Sequence, residues 1–479
     1  MLKLAGGAAI GSLLAACAPQ APPAEPEVVE VEVTREVAVE QTVEVEVEVP
    51  VKETVIVEVE APEPVEPPAP AEGNVVAMHF LHEFTEDHVN LFQEKYPGIT
   101  VEVIQADLAG FFAMYAAGSP PDLLRCQAPA IPQYLARKML YDLTPFFEAS
   151  AGLNIDDLAP ANDYYKGYSA LDIGEGPIYG MCKDFSPDCT IFAYKPVFED
   201  AGVAMPSDTE ALSYQEIVEI SSQLIAFEGD RTLVFGYDYE RGWVDRFMMN
   251  MLAETDEGIF TSDLTKLVIS GSESATAVAK YYYDLAADRI GNNPVTNPSP
   301  SGWFGNDFTQ GIVAMAQYGF WYGAMAESEV TAGGVVMLPG PSWAGVRRDP
   351  TVTATGMIMA AASQVPEASW RVFEYYNAEE PALERAQSGW GVPALKSMYE
   401  LIPNETEYEQ QKLKVLLDEL ALETSPLQFN PFLGETTVAD SWNTHLDRSL
   451  QGEFTFEEML TLVENEVNAA IQDGVDRLL

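Results

Sequence analysis

From Asn74 onward the chain alternates strand patterns with helix patterns, which restricts the folded part to architectures built on a parallel α/β sheet. Val75-Val76-Ala77-Met78-His79-Phe80-Leu81 reads as a buried first strand, and Glu86 to Tyr96 as a helix stopped by Pro97-Gly98. Ile99 to Gln105 is the next strand, and Ala109 to Ala117 a short helix halted by Gly118-Ser119-Pro120-Pro121. Asp122-Leu123-Leu124 opens a third strand, and a helix from Ile131 to Met139 leads into Tyr141-Asp142-Leu143-Thr144-Pro145. In sheets of this kind ligands sit beyond the carboxyl ends of the strands.

A chain of 479 residues with 47% hydrophobic content outgrows a single core, so two lobes are expected. The formal charge of -50, from 25 basic against 75 acidic residues, argues against nucleic acid or an anionic membrane surface as a partner. It is compatible with plain solubility or with attraction of a cation such as a polyamine.

Residues 1–73 read as a separate kind of polymer. Leu4 to Ala16 is apolar but too short to span a bilayer, and it follows a lone basic residue, Lys3, as the core of a signal peptide does. It ends in Leu14-Ala15-Ala16-Cys17, which resembles the bacterial lipobox, so residues 1–17 are expected to be a lipoprotein signal peptide with Cys17 as the lipidated residue. Residues 18–73 are Pro-rich at both ends and alternate Val with Glu between. Ala18 to Glu72 carries 15 acidic residues against Arg35 and Lys52. One face of any strand formed there would repel itself, which favours an extended, disordered stalk over a β-ribbon or assembly segment.

Tyr179 to Pro206 holds two strand signals around an Asp-Phe-Ser-Pro turn, a hairpin-like crossover. Cys182 and Cys189 flank that turn, so a local disulfide is one candidate; pairing of either with Cys126, or three reduced thiols, are the others.

Several stretches resemble family 1 extracellular solute-binding proteins, the substrate-capturing subunits of ABC importers, including the maltose-binding type. They are Phe92 to Val101, Gly118 to Asp122, Tyr141 to Pro145, Lys183 to Ser186, Gly311 to Met315 running to Gly319-Phe320-Trp321, Gly334 to Gly340 and Trp390 to Ala394. The resemblance covers Asn74 to the end. It implies a two-lobed, hinge-connected periplasmic-binding-protein-like fold of type II. Lobe 1 would be residues 74–187 plus 339–376, and lobe 2 residues 188–338 plus 377–479, with the chain first crossing at Asp184 to Thr190.

A sugar offers polar edges and apolar C–H faces, so its site needs flat aromatics and fixed carboxylate or amide groups. By resemblance Trp321 is the leading stacking candidate, followed by Trp243, Trp343, Trp390 and Trp442. Glu83 and Gln127 follow the first and third strands, and Asp184 lies in the crossover, where both lobes could touch one ligand.

Other chemistries lack support in the sequence. The spacing of His79, His82 and His88 matches no metal-ligand set, Tyr281-Tyr282-Tyr283 falls mid-helix, and no Walker loop, Rossmann fingerprint or Gly-x-Ser-x-Gly elbow occurs. The expectation is therefore a non-catalytic, cofactor-free, monomeric and lipid-anchored subunit on the extracytoplasmic face. It would capture an oligosaccharide or sugar derivative for an ABC permease. A surface glycan-active enzyme, a structural surface protein or a polyamine-binding protein are the alternatives.

Overall fold

The computed structural model describes residues 71–348, 351–422 and 426–478. The expected signal peptide with Cys17 and all but the end of the expected stalk lie outside these residues. Among the described residues thirteen strands follow in order: β1 (Gly73–His79), β2 (Ile99–Gln105), β3 (Leu123–Gln127), β4 (Lys166–Ser169), β5 (Asp172–Ile178), β6 (Gly180–Phe185), β7 (Ile191–Tyr194), β8 (Ala226–Glu228), β9 (Arg231–Tyr239), β10 (Val313–Gln317), β11 (Val335–Leu338), β12 (Thr355–Met359) and β13 (Val392–Pro393).

They form a six-stranded sheet in the order β13-β6-β12-β3-β1-β2, a five-stranded sheet in the order β11-β7-β10-β9-β8, and the hairpin β4-β5. The fold is therefore α/β with two sheets, as the strand–helix alternation implies. Its sheets are mixed rather than wholly parallel. β1 runs parallel to β2 and β3, whereas β12 is antiparallel to both β3 and β6. In the second sheet β9 and β10 are parallel and β7 is antiparallel to β10 and β11. The parallel pairs are linked by helical crossovers, while β7 and β12, which the chain reaches on passing between sheets, pair antiparallel. β10, with every residue buried, reads Val-Ala-Met-Ala-Gln because both of its faces are covered.

The crossover after Tyr179 is not a hairpin. β6 belongs to the first sheet and β7 to the second, so the turn between them spans from sheet to sheet instead of folding back. This overturns the local disulfide. Cys126, Cys182 and Cys189 are buried thiols, with no disulfide among the described residues. Cys182 Sγ and its backbone N–H both meet Asn162 Oδ1, at 3.3 and 3.0 Å. Cys189 Sγ faces Asn250 Oδ1 at 3.6 Å. Strands that diverge into separate sheets do not hold their Cβ atoms at the short separation a disulfide needs. A second departure lies beyond residue 376: Val392 and Pro393 pair with Phe185 and Asp184 of β6, so this stretch joins the first sheet rather than the second lobe.

Two connections between the sheets, residues 186–190 and 339–354, are tied together by one buried carboxylate. Asp188 Oδ2 accepts from the backbone N–H groups of Val352 and Thr353, at 2.9 and 3.0 Å, and from Thr353 Oγ1 at 2.9 Å. Thr190 Oγ1 donates to Tyr318 O at 2.6 Å, fixing the far end of the first connection. Burial pushes the Asp188 carboxyl up to about 7, although the hydrogen bonds from Val352 and Thr353 pull it down. Because its folded value lies above the ordinary 3.8, this group makes the protein less stable as pH rises from about 4 through about 7. Asp188→Ala, which strands two backbone donors, is expected to lower the melting temperature. Asp188→Asn, which keeps an acceptor oxygen, should recover most of the loss. The wild type should lose stability relative to Asp188→Asn between pH 5 and 8; thermal melts across that range check the sign.

Candidate functional site

The carboxyl ends of the first sheet supply a polar floor. Alternation along β3 sends Arg125 and Gln127 to one side of a strand whose Leu123, Leu124 and Cys126 are buried. In register, Asp184 of β6 stands beside Thr355 of β12, which stands beside Gln127 of β3. Glu83 reaches the same place from the loop after β1. There Phe80 O accepts from the backbone N–H groups of Glu83 and Phe84, both at 3.0 Å, and Thr85 caps the following helix, Glu86–Lys95.

The aromatic groups come from three elsewhere-anchored segments. Trp243 ends a short 3-10 turn beyond β9, and Trp321 lies in a similar turn beyond β10, its backbone N–H donating to Ser186 Oγ at 3.1 Å. Trp390 follows Gly389, whose φ of 68° closes the helix Glu380–Ser388 in the left-handed region. The ring of Trp321 lies 6.5 Å from that of Trp243 and 5.7 Å from that of Trp390. Together they bound a cavity of about 180 Å³, lined also by Glu83, Arg125, Gln127, Asp184 and Thr355.

Six of the eight side chains expected from sequence thus meet in one place: Glu83, Gln127, Asp184, Trp243, Trp321 and Trp390. Trp343 and Trp442 do not. Trp442 is 1% exposed on the core face of the helix Thr437–Leu450. The Trp343 ring packs against Tyr214 and Tyr281, and its backbone N–H donates to Glu254 at 2.9 Å. Arg125 and Lys183 went unassigned at the sequence level, although a cation inside a buried strand is costly and so marks a built interaction.

The charges of the cavity neutralise one another. Arg125 grips Glu83 with two bonds, Nε to Oε2 at 2.8 Å and Nη2 to Oε1 at 3.2 Å, while its guanidinium lies 4.0 Å over the Phe80 ring. The Lys183 side chain, 1% exposed, lies 3.5 Å from Glu83 and bonds Asp184. The four charged lining residues are therefore two carboxylates and two cations. Burial alone would raise the Glu83 carboxyl, but Lys183 and Arg125 outweigh it and hold it well below the usual range. Arg246, almost wholly buried, donates from Nη1 to Gln127 Oε1 at 2.9 Å and so links a helix after β9 to the first sheet.

His79 and His88 are held by their surroundings. His79 is fully buried, and desolvation lowers it to about 3, so its ring is neutral. His88 accepts from the Thr85 backbone N–H through Nδ1 at 3.3 Å and meets Glu384 through Nε2 at 2.8 Å. Among the described residues no cluster of three or more His, Cys, Asp and Glu side chains could hold a metal ion, and no helix is long and apolar enough to cross a membrane.

Glu83→Gln leaves two buried cations with weaker partners and is expected to cost about 3–5 kcal/mol at neutral pH, read by denaturant melts. Because the carboxyl is held low in the folded protein, its contribution is present above the ordinary value of 4.5 and lost as pH falls below it. The gap between wild type and variant should narrow accordingly in acid.

Several solved structures share this fold. An ABC substrate-binding protein from Listeria monocytogenes in complex with cycloalternan aligns with a TM-score of 0.68 at 20% identity, over 84% of this chain and 99% of that one. Maltose-bound MalE3 of T. maritima aligns at 0.63 and 16% identity, over 82% and 98%. An ABC transporter associated binding protein from B. animalis subsp. lactis, in complex with beta-1,6-galactobiose, aligns at 0.63 and 18% identity, over 85% and 99%. At these identities the likeness shows the two-lobed fold. No curated protein matches the chain by sequence. The model of the bacterial extracellular solute-binding protein family matches residues 88–413, more than half of the chain, and the chain belongs to that family.

Proposed function

We propose that the protein is the extracytoplasmic, non-catalytic binding subunit of an ABC importer, capturing a neutral carbohydrate in the cleft and passing it to a permease. The observation that carries this is the combination of three tryptophans with a polar floor whose charges cancel. Aromatic faces suit the C–H surfaces of a sugar, and Gln127, Thr355 and Asp184 suit its hydroxyls. Several structural neighbours were solved with sugars bound, which supports the same class. Cys17 would supply the lipid anchor, with the segment after it as a spacer from the membrane, and the subunit would act as a monomer.

The internal pairing weighs against the alternatives. A polyamine site requires unneutralised carboxylates, yet Glu83 is held by Arg125 and Lys183, and Asp184 by Lys183. A retaining or inverting glycosidase needs a carboxylic acid with a raised proton affinity, and Glu83 is shifted the opposite way.

A thermal-shift panel of mono- and oligosaccharides tests this; a saturating ligand at 100 times its Kd adds about 2.7 kcal/mol. A panel in which only polyamines shift the melt overturns the carbohydrate assignment. Trp321→Ala and Asp184→Asn are each expected to abolish the sugar-induced shift, and Trp343→Ala to leave it intact.

A further inference from the structure

Trp321 and Trp390 reach the cleft from distant parts of the chain, and one buried cation stands behind both. Lys412, on the helix Glu407–Leu420, is 3% exposed, and its Nζ lies 4.6 Å from the centroid of the Phe320 ring and 5.3 Å from that of Tyr408. Phe320 immediately precedes Trp321. On the other side, a side chain at Gly389, the residue before Trp390, would begin 3.9 Å from the same Nζ. The ammonium thus lies against both tryptophan-bearing segments, whose indole rings are 5.7 Å apart.

The helix that carries Lys412 is anchored, and space is kept for its side chain. Gln411 fixes the helix to β11, accepting from the Met337 backbone N–H at 3.0 Å and donating to Met337 O at 2.7 Å. Tyr408 Oη donates to Gly323 O at 3.0 Å, which holds the far end of the Trp321 turn. A Cβ at Gly323 would fall 2.5 Å from Lys412 Cδ, so the glycine makes room for the lysine stem. An ammonium this deep is costly to bury unless something replaces its water. Here aromatic faces do so, through an attraction that disappears with the charge. A methionine would fill the same space without that cost, so the charge itself calls for a role.

We propose that Lys412 is a positioning residue of the cleft: its ammonium draws in Phe320 and braces the Gly389 turn, and so sets the spacing at which Trp321 and Trp390 face one ligand. This rests on the cleft as the binding site and adds the residue that holds its aromatic pair. Burial lowers Lys412 to about 8, with Glu409 of its own helix and Glu327 beyond the helix Gly323–Ala326 opposing the shift. Its charge is therefore present at neutral pH and lost as pH rises through about 8. The phenols of Tyr408 and Tyr322 are pushed far up by burial and stay neutral over this range, and Gly389, with Pro403 beside it, does not titrate.

Circular dichroism of the full chain in the indole exciton region reads the tryptophan pair without any ligand, and Trp321→Phe and Trp390→Phe identify its contribution. Lys412→Met, which keeps the length and removes the charge, is expected to lose at least half of that contribution at pH 7. The wild-type signal should fall to the Lys412→Met level between pH 7 and 9. Gly323→Ala, which displaces the lysine stem, should give the same loss and decides the matter if Lys412→Met folds poorly. A pair contribution that is absent from the wild type, or that survives both variants, overturns the proposal. So does a pH transition that persists in Lys412→Met, which would belong to Asp188 or Asp238, both raised by burial to about 7 and about 8. Titration calorimetry with any saccharide that shifts the melt should show at least a tenfold loss of affinity in Lys412→Met; a Kd within threefold of the wild type overturns the role in binding. Because the dichroism needs no sugar, a saccharide panel without a hit overturns the carbohydrate assignment while the placement of the tryptophan pair is still decided.

Discussion

Asp188 governs how the two sheets are joined. Its carboxylate is buried where the chain leaves the first sheet for the second, and it holds the backbone of Val352 and Thr353 on the way back. Without that tie, the buried backbone N–H groups of Val352 and Thr353 would be stranded, at a cost of about 1–3 kcal/mol for each such group. The rows of side chains that β6, β12 and β3 present to the cleft are aligned because these connections enter the sheet in fixed register. The site is thus positioned by a hydrogen-bonded joint, with no covalent staple at the turn.

Above this joint the cavity is built to be electrically quiet. A chain with a net charge of -50 could easily present an acidic cleft, yet the cleft's carboxylates are matched by Arg125 and Lys183. Such pairing is expensive to bury and must be completed by good geometry, which the two-bond Arg125–Glu83 contact provides. The excess acidity of the protein is carried by residues outside this cavity.

Much of the architecture was legible because strand and helix signals alternate cleanly. The strand Ile99–Gln105 falls where its pattern places it, and Trp243 and Trp321 each follow a strand whose carboxyl end faces the cleft. What could not be read was partnership at a distance. Whether β6 and β7 pair or part is decided by the sheets they join, and the local turn chemistry around Cys182 and Cys189 is compatible with either. The burial of Trp442 is legible in the sequence, where Val438, Ala439, Trp442 and Leu446 form a helical stripe that marks a core face. Trp343 offered no such pattern, since it lies in a loop and is oriented by Glu254, far away in sequence.

Trp390 has a consequence for how the protein is made. The floor of the cleft is contributed by the first half of the chain up to Asp184 together with Thr355, but the wall that closes it is delivered by the segment after Gly389, which docks on β6 as β13. Contacts between such distant parts of the sequence form late and slowly, since the intervening chain must first be ordered. During synthesis β6 therefore waits for both of its partner strands, β12 and β13, and the cavity lacks Trp390 until the C-terminal portion arrives. The cavity is in this way complete only in the finished molecule.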